Sequence, residues 1–328
     1  MANINDIKFR LDHDIMMIIK FWGVRGSIPH SLDTKGWVAH FEKLMSEFFK
    51  AGFSKPEQIN NFISSKHVAE VGGFGTATTC VEVSQGGHSI IIDGGSGIKS
   101  KSDIGDFNNQ KEFHILISHF HFDHIMGLPF FTPHFMKGYK INYYAVHADT
   151  ENVIKNLFKK PTFPVAYDRL AGDISFHRLV PHQKNTVNGF SVTPYEMDHP
   201  DLCYGFRVEK NGKVYAHAVD NEATRRTKNE LGIDSGLYEN ADLLYFDAQY
   251  DEDDMSQKKG WGHGTCDRGF EICAGFGLKQ VLFAHHDPSF SIADSWRQKA
   301  KAAETYQKKF HQLNLKWDFA FEGQVVEL

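Results

Sequence analysis

Apolar residues along this chain gather in short blocks separated by polar, glycine-rich breaks. "IMMIIKFWGV", "TTCVEV", "SIIID", "FHILIS", "KINYYAV", "ISFHRLV", "FSVTPYEM", "LLYFDA" and "QVLFAH" are β-branched or aromatic runs of strand length. In "FRVEKNGKVYAHAVD" two such runs flank Asn211-Gly212, the pair a tight hairpin turn prefers because both positions take positive φ. Helical periodicity marks residues 37–50, 57–66, 151–158, 266–276 and 293–312. Strand and helix signals interleave throughout, with no Gly/Ser linker and no fixed-period repeat. The pattern predicts one layered α/β domain over residues 1–328.

Residues 31–72 break the alternation. "KGWVAHFEKLMSEFFKAGFSKPEQINNFISSKH" predicts two amphipathic helices broken at Ser54–Pro56, with Phe41, Leu44, Phe48 and Phe49 along one face. An insertion packed on the body is the plainer expectation. A lid over the active region, or a homodimer contact, is the sharper one.

Composition narrows the function classes. An apolar share of 41% and 28 phenylalanines suffice for a substantial core. The net charge of -5 and the absence of a basic stripe argue against a protein that grips long nucleic acid through its phosphates. Cys80, Cys203, Cys266 and Cys273 form no CxxC pair and read as buried thiols of a reducing compartment. The opening "MANINDIKFRLDHDIMMIIKFWG" is too charged, and its apolar run too short, for a leader or a membrane span. A cytoplasmic protein with no membrane partner is expected.

The chemistry is concentrated in "LISHFHFDHIMGLPFF". In an extended segment, side chains at i and i+2 project to one face, so His119 and His121 point together at the end of a strand. Asp123 and His124 follow where the chain turns and supply a second, adjacent position. Further metal-ligand types close other strands: His199 in "FSVTPYEMDHP", Asp220 in "KVYAHAVD" and His285 in "QVLFAHHDP". Counting assigns His119, His121 and His199 to one ion and Asp123, His124 and His285 to another, with Asp220 left to bridge. Imidazole and carboxylate ligands suit two divalent ions: Zn²⁺ first, with Mn²⁺ or Fe²⁺ as alternatives. His286, beside His285, points to the opposite face of an extended strand.

These residues resemble the metallo-β-lactamase-fold hydrolases, whose signature is HxHxDH followed by a His, a bridging Asp and a last His. The resemblance runs from "FWGVRGSIP" to His285 and is strongest to the phosphodiesterase branch: cyclic-nucleotide and phosphoribosyl cyclic phosphodiesterases and tRNase Z. It implies a four-layer αββα sandwich with the metals at one edge. "SIIIDGGSG" matches the place where the family holds an Asp, here Asp93, against a metal-bound histidine. "FWGVRGSIP" matches the family's first strand and glycine loop, where Arg25 faces either substrate phosphate or the fold itself.

"GWGHGTCDRGFEICAGFGLKQVLFAHHDP" resembles the branch's HxT element, which places His263 and Thr265 ahead of a helix and of His285. Such a histidine donates a proton to the leaving oxygen; the bland alternative is a loop histidine with Thr265 capping the helix. Asp247, in "LLYFDAQY", is a candidate to orient His263. The expected catalytic set is therefore His263 with the ion-holding Asp123 and Asp220, and hydroxide bridging the two ions attacks phosphorus. Two divalent ions, less two aspartates and that hydroxide, leave one positive charge, the complement of a monoanionic diester.

The expected substrate is a small phosphodiester, a 3′,5′-cyclic nucleotide ahead of a phosphoribosyl cyclic phosphate. A tRNA 3′-endonuclease is the first rival, but the long basic arm that such enzymes carry has no counterpart in "KNLFKKPTFPVAYDRL". Phe163, Pro164, Val165 and Tyr167 are candidates to wall a small pocket. A thioesterase, a lactonase and a diiron redox protein share the ligand set and remain outside alternatives.

Overall fold

The computed structural model describes residues 16–103 and 110–328. Most of the opening segment, residues 1–15, lies outside the described residues. The first strands are β1 (Ile18–Gly23), β2 (Cys80–Gln85), β3 (His88–Ile92), β4 (Glu112–Leu116), β5 (Lys140–Ala145) and β6 (Asp173–Arg178). They are followed by β7 (Asn185–Val187), β8 (Phe190–Glu196), β9 (Tyr204–Lys210), β10 (Lys213–Ala218), β11 (Leu243–Asp247), β12 (Gln280–Ala284), β13 (Lys316–Phe319) and β14 (Val325–Glu327). They make two seven-stranded sheets, ordered β14-β1-β2-β3-β4-β5-β6 and β13-β12-β11-β10-β9-β8-β7. Each sheet has an antiparallel half and a parallel half, the parallel strands being β3-β4-β5-β6 in the first and β10-β11-β12-β13 in the second.

Period-two alternation of buried residues produces the layers. Ile90 and Ile92 turn to the space between the sheets and meet Val208, Tyr215, Tyr245 and Leu282 from the other side. Ile91, between them, turns outward to Phe113, Ile115 and Ile141. In the second sheet Leu243 and Tyr245 face inward, while Leu244 and Phe246 face outward. Because both faces of each sheet are buried, strands such as "SIIID" and "LLYF" read as continuous apolar runs.

Helices complete the outer layers. The insertion carries α1 (Thr34–Lys50), α2 (Ile59–Ser64) and α3 (Val68–Gly72). The first sheet is covered from α4 (Gly97–Asp103), α5 (Phe122–Ile125) and α6 (Thr150–Leu157), through Ile98, Ile125 and Ile154. Short α7 (Lys228–Leu231) and α8 (Met255–Lys258) precede α9 (Cys266–Phe276) and α10 (Ile292–Thr305). Leu231, Phe270, Ile272 and Ala302 from this group cover the second sheet. The result is the α/β sandwich of four layers. Among the described residues no helix is long and apolar enough to cross a membrane.

The insertion packs less than its pattern predicts. Asp33 caps α1 by accepting from the Gly36 N–H, and Phe48 is buried against Phe53 and Phe62. Phe41 and Phe49, assigned to the same face, stand 59% exposed each, because only the short α2 and its flanks lie beneath the helix.

Candidate metal centre

Strands of both sheets deliver chemistry from their carboxyl ends to one edge. β3 leads into Asp93, β4 into Ser118 and His119, β8 into His199, β10 into Asp220 and β12 into His285, while Asp247 closes β11. The chain turns sharply at these points: Asp93, Asp220 and His285 have φ of 60°, 55° and 60°. Such left-handed backbone is uncommon for residues other than glycine and clusters at functional sites.

Three groups of ligand atoms result, each with its atoms within 4.8 Å of one another: His119, His121, His199 and Asp220; Asp123, His124 and His285; and Asp220, Asp247, His263 and His285. Asp220 joins them. Its Oδ2 lies 2.8 Å from His124 Nε2 and 3.3 Å from His285 Nε2, and its Oδ1 is 4.0 Å from His119 Nε2. Asp123 Oδ2 is 3.1 Å from His285 Nε2 and 3.4 Å from His124 Nε2. His199 Nε2 and His121 Nδ1 are 3.2 Å apart.

Each imidazole holds its outer nitrogen on a partner and turns the other inward. Asp93 Oδ2 takes His124 Nδ1 at 2.8 Å and is itself held by the Ser118 N–H and hydroxyl. The Gly262 carbonyl accepts from His199 Nδ1 at 3.1 Å, Gln249 Oε1 from His285 Nδ1 at 2.9 Å, and Asp201 from His121 Nε2 at 2.8 Å. Ser118 Oγ lies 3.1 Å from His119 Nδ1. Partners of this kind fix tautomer and ring orientation in metal sites. Ser118, Gln249 and Asp201 were not legible as site residues, although Gln249, two positions after Asp247, shares its face of an extended segment.

The inner atoms fit a cation. His119 Nε2 is buried without a hydrogen-bond partner, and His124 Nε2 and Asp220 Oδ2 are buried facing only each other, Asp123 and His285, a costly arrangement for polar atoms unless something else engages them. Electrostatics carries the same sign. Burial opposes charge on His285, yet Asp220, Asp247 and Asp123 push its pKa up to about 9. For His124 burial is likewise outweighed by Asp220, Asp123 and Asp93, and its pKa rises well above the usual value. Burial resists ionisation of Asp123 and Asp220, but the neighbouring His124 and His285 hold both far below the ordinary carboxylate range. His119 is driven down by burial and by His124.

Within the third group, His263 has its Nδ1 3.0 Å from Asp247 Oδ2 and its ring stacked 4.9 Å from that of His285. Asp247 Oδ1 also accepts from the Gly264 and Gln249 N–H groups, and Oδ2 from the Asp220 N–H. Thr265 caps α9 by accepting from the Arg268 N–H and donates to Glu252. Glu222, absent from the sequence reading, holds the loop before His263 by accepting from Gly260 N and Gly262 N.

Other candidates are committed elsewhere. Arg25 is buried, donating to the Gly75 and Asp287 carbonyls, so its guanidinium serves the fold rather than a phosphate. His286 Nε2 donates to the Ala320 carbonyl, with its ring on Phe319. Phe163 packs on Phe130 and Phe158, and Tyr167 on Phe158, which removes both from any substrate wall. His114 and His134 pair with the Tyr144 and Tyr143 hydroxyls, and His217 with that of Tyr215.

The family described as Beta-lactamase superfamily domain matches residues 108–286, more than half of the chain. This chain belongs to that superfamily. Ribonuclease Z of Streptococcus suis is 24% identical to it over 270 residues, 67% of this chain and 86% of the relative. The metallo-β-lactamase fold protein YhfI from Bacillus subtilis superposes with a TM-score of 0.61 at 19% identity, covering 95% of this chain and 100% of its own. Yeast PDE1 superposes with a TM-score of 0.59 at 13% identity, covering 96% and 100%. At these identities the structural likenesses carry the fold. The superfamily member described here is a hydrolase of the metallo-β-lactamase fold, a fold that implies divalent metal ions.

Proposed function

We propose that this hydrolase is a dinuclear metal-dependent phosphodiesterase acting on a small cyclic phosphodiester, a 3′,5′-cyclic nucleotide ahead of a phosphoribosyl cyclic phosphate. In this reading His119, His121 and His199 hold one ion, Asp123, His124 and His285 the other, and Asp220 both. Zn²⁺ suits the donor set best, with Mn²⁺ and Fe²⁺ as alternatives. Bound ions supply an acidified water and a Lewis-acid grip on phosphoryl oxygen.

The observation that carries the reading is the buried Asp247–His263 pair beside the cluster, at 3.0 Å. With Nδ1 held on a carboxylate, the ring is oriented and Nε2 is left to meet the substrate. A departing ribose alkoxide is strongly basic and needs that proton, whereas a thiolate leaves without one. Asp93, Gln249 and the Gly262 carbonyl engage the outer nitrogens of His124, His285 and His199, which orients their inner nitrogens for the ions. Residues 31–72 are read as an insertion into this single domain.

A second reading, tRNA 3′-end cleavage, has one observation in its favour: the curated relatives named Ribonuclease Z. Against it, the connection between β5 and β6 is occupied by α6, whose Ile154 packs into the core with Phe158. No long arm leaves the body there.

The test is turnover by metal-quantified protein on bis(p-nitrophenyl) phosphate, 2′,3′- and 3′,5′-cyclic nucleotides, precursor tRNA and a thioester. Two ions per chain with 3′,5′-cyclic nucleotide turnover is the expected result. Turnover of precursor tRNA alone transfers the assignment to the second reading, and thioester turnover alone removes the phosphodiesterase assignment.

A further inference from the structure

Four large exposed apolar side chains belong to the segments that hold the metal-ligating cluster. Phe122, 70% exposed, lies between His121 and Asp123 in the chain. Trp261, 60% exposed, adjoins Gly262, whose carbonyl engages His199. Leu202 follows Asp201, which holds His121, and Ile28 follows Ser27, whose N–H donates to Asp123 Oδ2 at 2.7 Å. A lone exposed apolar residue is ordinary, whereas four of them on the segments that hold one site point to that site.

The loop that carries Trp261 is pressed against the site. A Cβ at Gly262 would meet His199 Nδ1 at 2.1 Å, and Gly262 has φ 84°. The backbone is therefore in contact with the imidazole, and the neighbouring Trp261 is exposed. The rings of His121 and His199 are centred 4.9 Å apart, and those of His199 and His263 5.8 Å apart. Phe122 belongs to the segment at one end of this row and Trp261 to the segment at the other.

We propose that Phe122 and Trp261 form a nucleobase subsite, gripping the base of a cyclic nucleotide by its faces while its phosphate sits at the metal centre. The inference rests on the phosphodiesterase reading for its phosphate and on the exposed aromatic pair for its base. Stacking on an aromatic side chain contributes about 1–3 kcal/mol per base and tolerates any base, since every base has a π face. The subsite therefore favours nucleotides over a phosphoribosyl cyclic phosphate that lacks a base.

Two measurements on metal-loaded protein test it. The first is the ratio of kcat/KM for 3′,5′-cyclic AMP to that for methyl riboside 3′,5′-cyclic phosphate, in wild type, Phe122→Ala and Trp261→Ala. The ratio should fall about tenfold in each variant, mainly through KM for cyclic AMP, and Trp261→Phe should restore part of it. The second is quenching of tryptophan fluorescence by cyclic AMP, expected in wild type and lost in Trp261→Phe. An unchanged ratio with no Trp261-dependent quenching overturns the subsite while leaving phosphodiester turnover intact. Quenching without hydrolysis of either diester keeps the subsite and sinks the phosphodiesterase reading. If precursor tRNA is the substrate that loses turnover in the variants while cyclic AMP neither quenches nor reacts, the small-nucleotide subsite is overturned in favour of an RNA end.

Discussion

His263 and Asp220 are both close to the cluster, and their chemistry separates them. His263 is held by Asp247 and is not among the residues proposed to hold the ions, so His263→Ala should retain both ions and lose about 10²–10⁴-fold in kcat on a diester with a basic leaving group. With p-nitrophenolate, which leaves readily, the loss should be much smaller. Asp220, in contact with His124 and His285, should instead lose metal when changed to Ala. Metal counting by mass spectrometry beside the two rate measurements checks both, and full-rate cleavage of a cyclic nucleotide by His263→Ala would end its assignment. The HxHxDH spacing made the first four positions legible, because chain neighbours report one strand end. Ser118, Asp201, Glu222 and Gln249 were not legible, since each acts through a hydrogen bond to a residue far away in the chain or through a backbone group. Arg25 shows the converse: an arginine in a glycine loop beside a site looks like a phosphate ligand until its guanidinium is found on two carbonyls.

Strands longer than about five residues and the helix over 266–276 were legible from their periods, whereas β7, α3, α5, α7 and α8 are too short to show one. Such short elements depend on tertiary anchors. The turn Thr132–Phe135 is one, fastened to β5 by the 2.7 Å bond between His134 Nε2 and the Tyr143 hydroxyl. Burial lowers the His134 pKa to about 4, below the ordinary value of 6.5. The unfolded chain thus takes up this proton at a higher pH than the native one does. The stability tied to a neutral His134 is complete above about pH 6.5 and drains away as pH falls toward 4, by up to about 3 kcal/mol. Urea midpoints for wild type and His134→Phe between pH 7 and pH 4.5 read this out. The wild type should lose stability more steeply than the variant, and parallel slopes would show that His134 is not a source of the acid sensitivity.

A layered α/β domain followed from the interleaved strand and helix signals, and the four-layer order from the family resemblance, but the way the two sheets meet at one edge is a three-dimensional fact. His119 and His124 come from the segment after β4 in the first sheet; His199, Asp220 and His285 come from β8, β10 and β12 in the second. Ions shared between these groups would tie the sheets together where imidazole and carboxylate atoms crowd one another and His119 Nε2 lies buried without a hydrogen-bond partner. Metal removal should therefore act on the whole fold and not on activity alone. A ligand bound only by the native state, present at a thousand times its Kd, adds about 4 kcal/mol, and for a chain of this size that corresponds to a change in Tm on the order of 5–10 °C. Dialysis against a chelator should lower Tm by that amount and readdition of Zn²⁺ should restore it, while Asp220→Ala should melt near the chelated value and respond to neither treatment. A wild-type Tm indifferent to complete metal removal, verified by metal counting, would mean that the core between the sheets holds this edge closed without help from the ions.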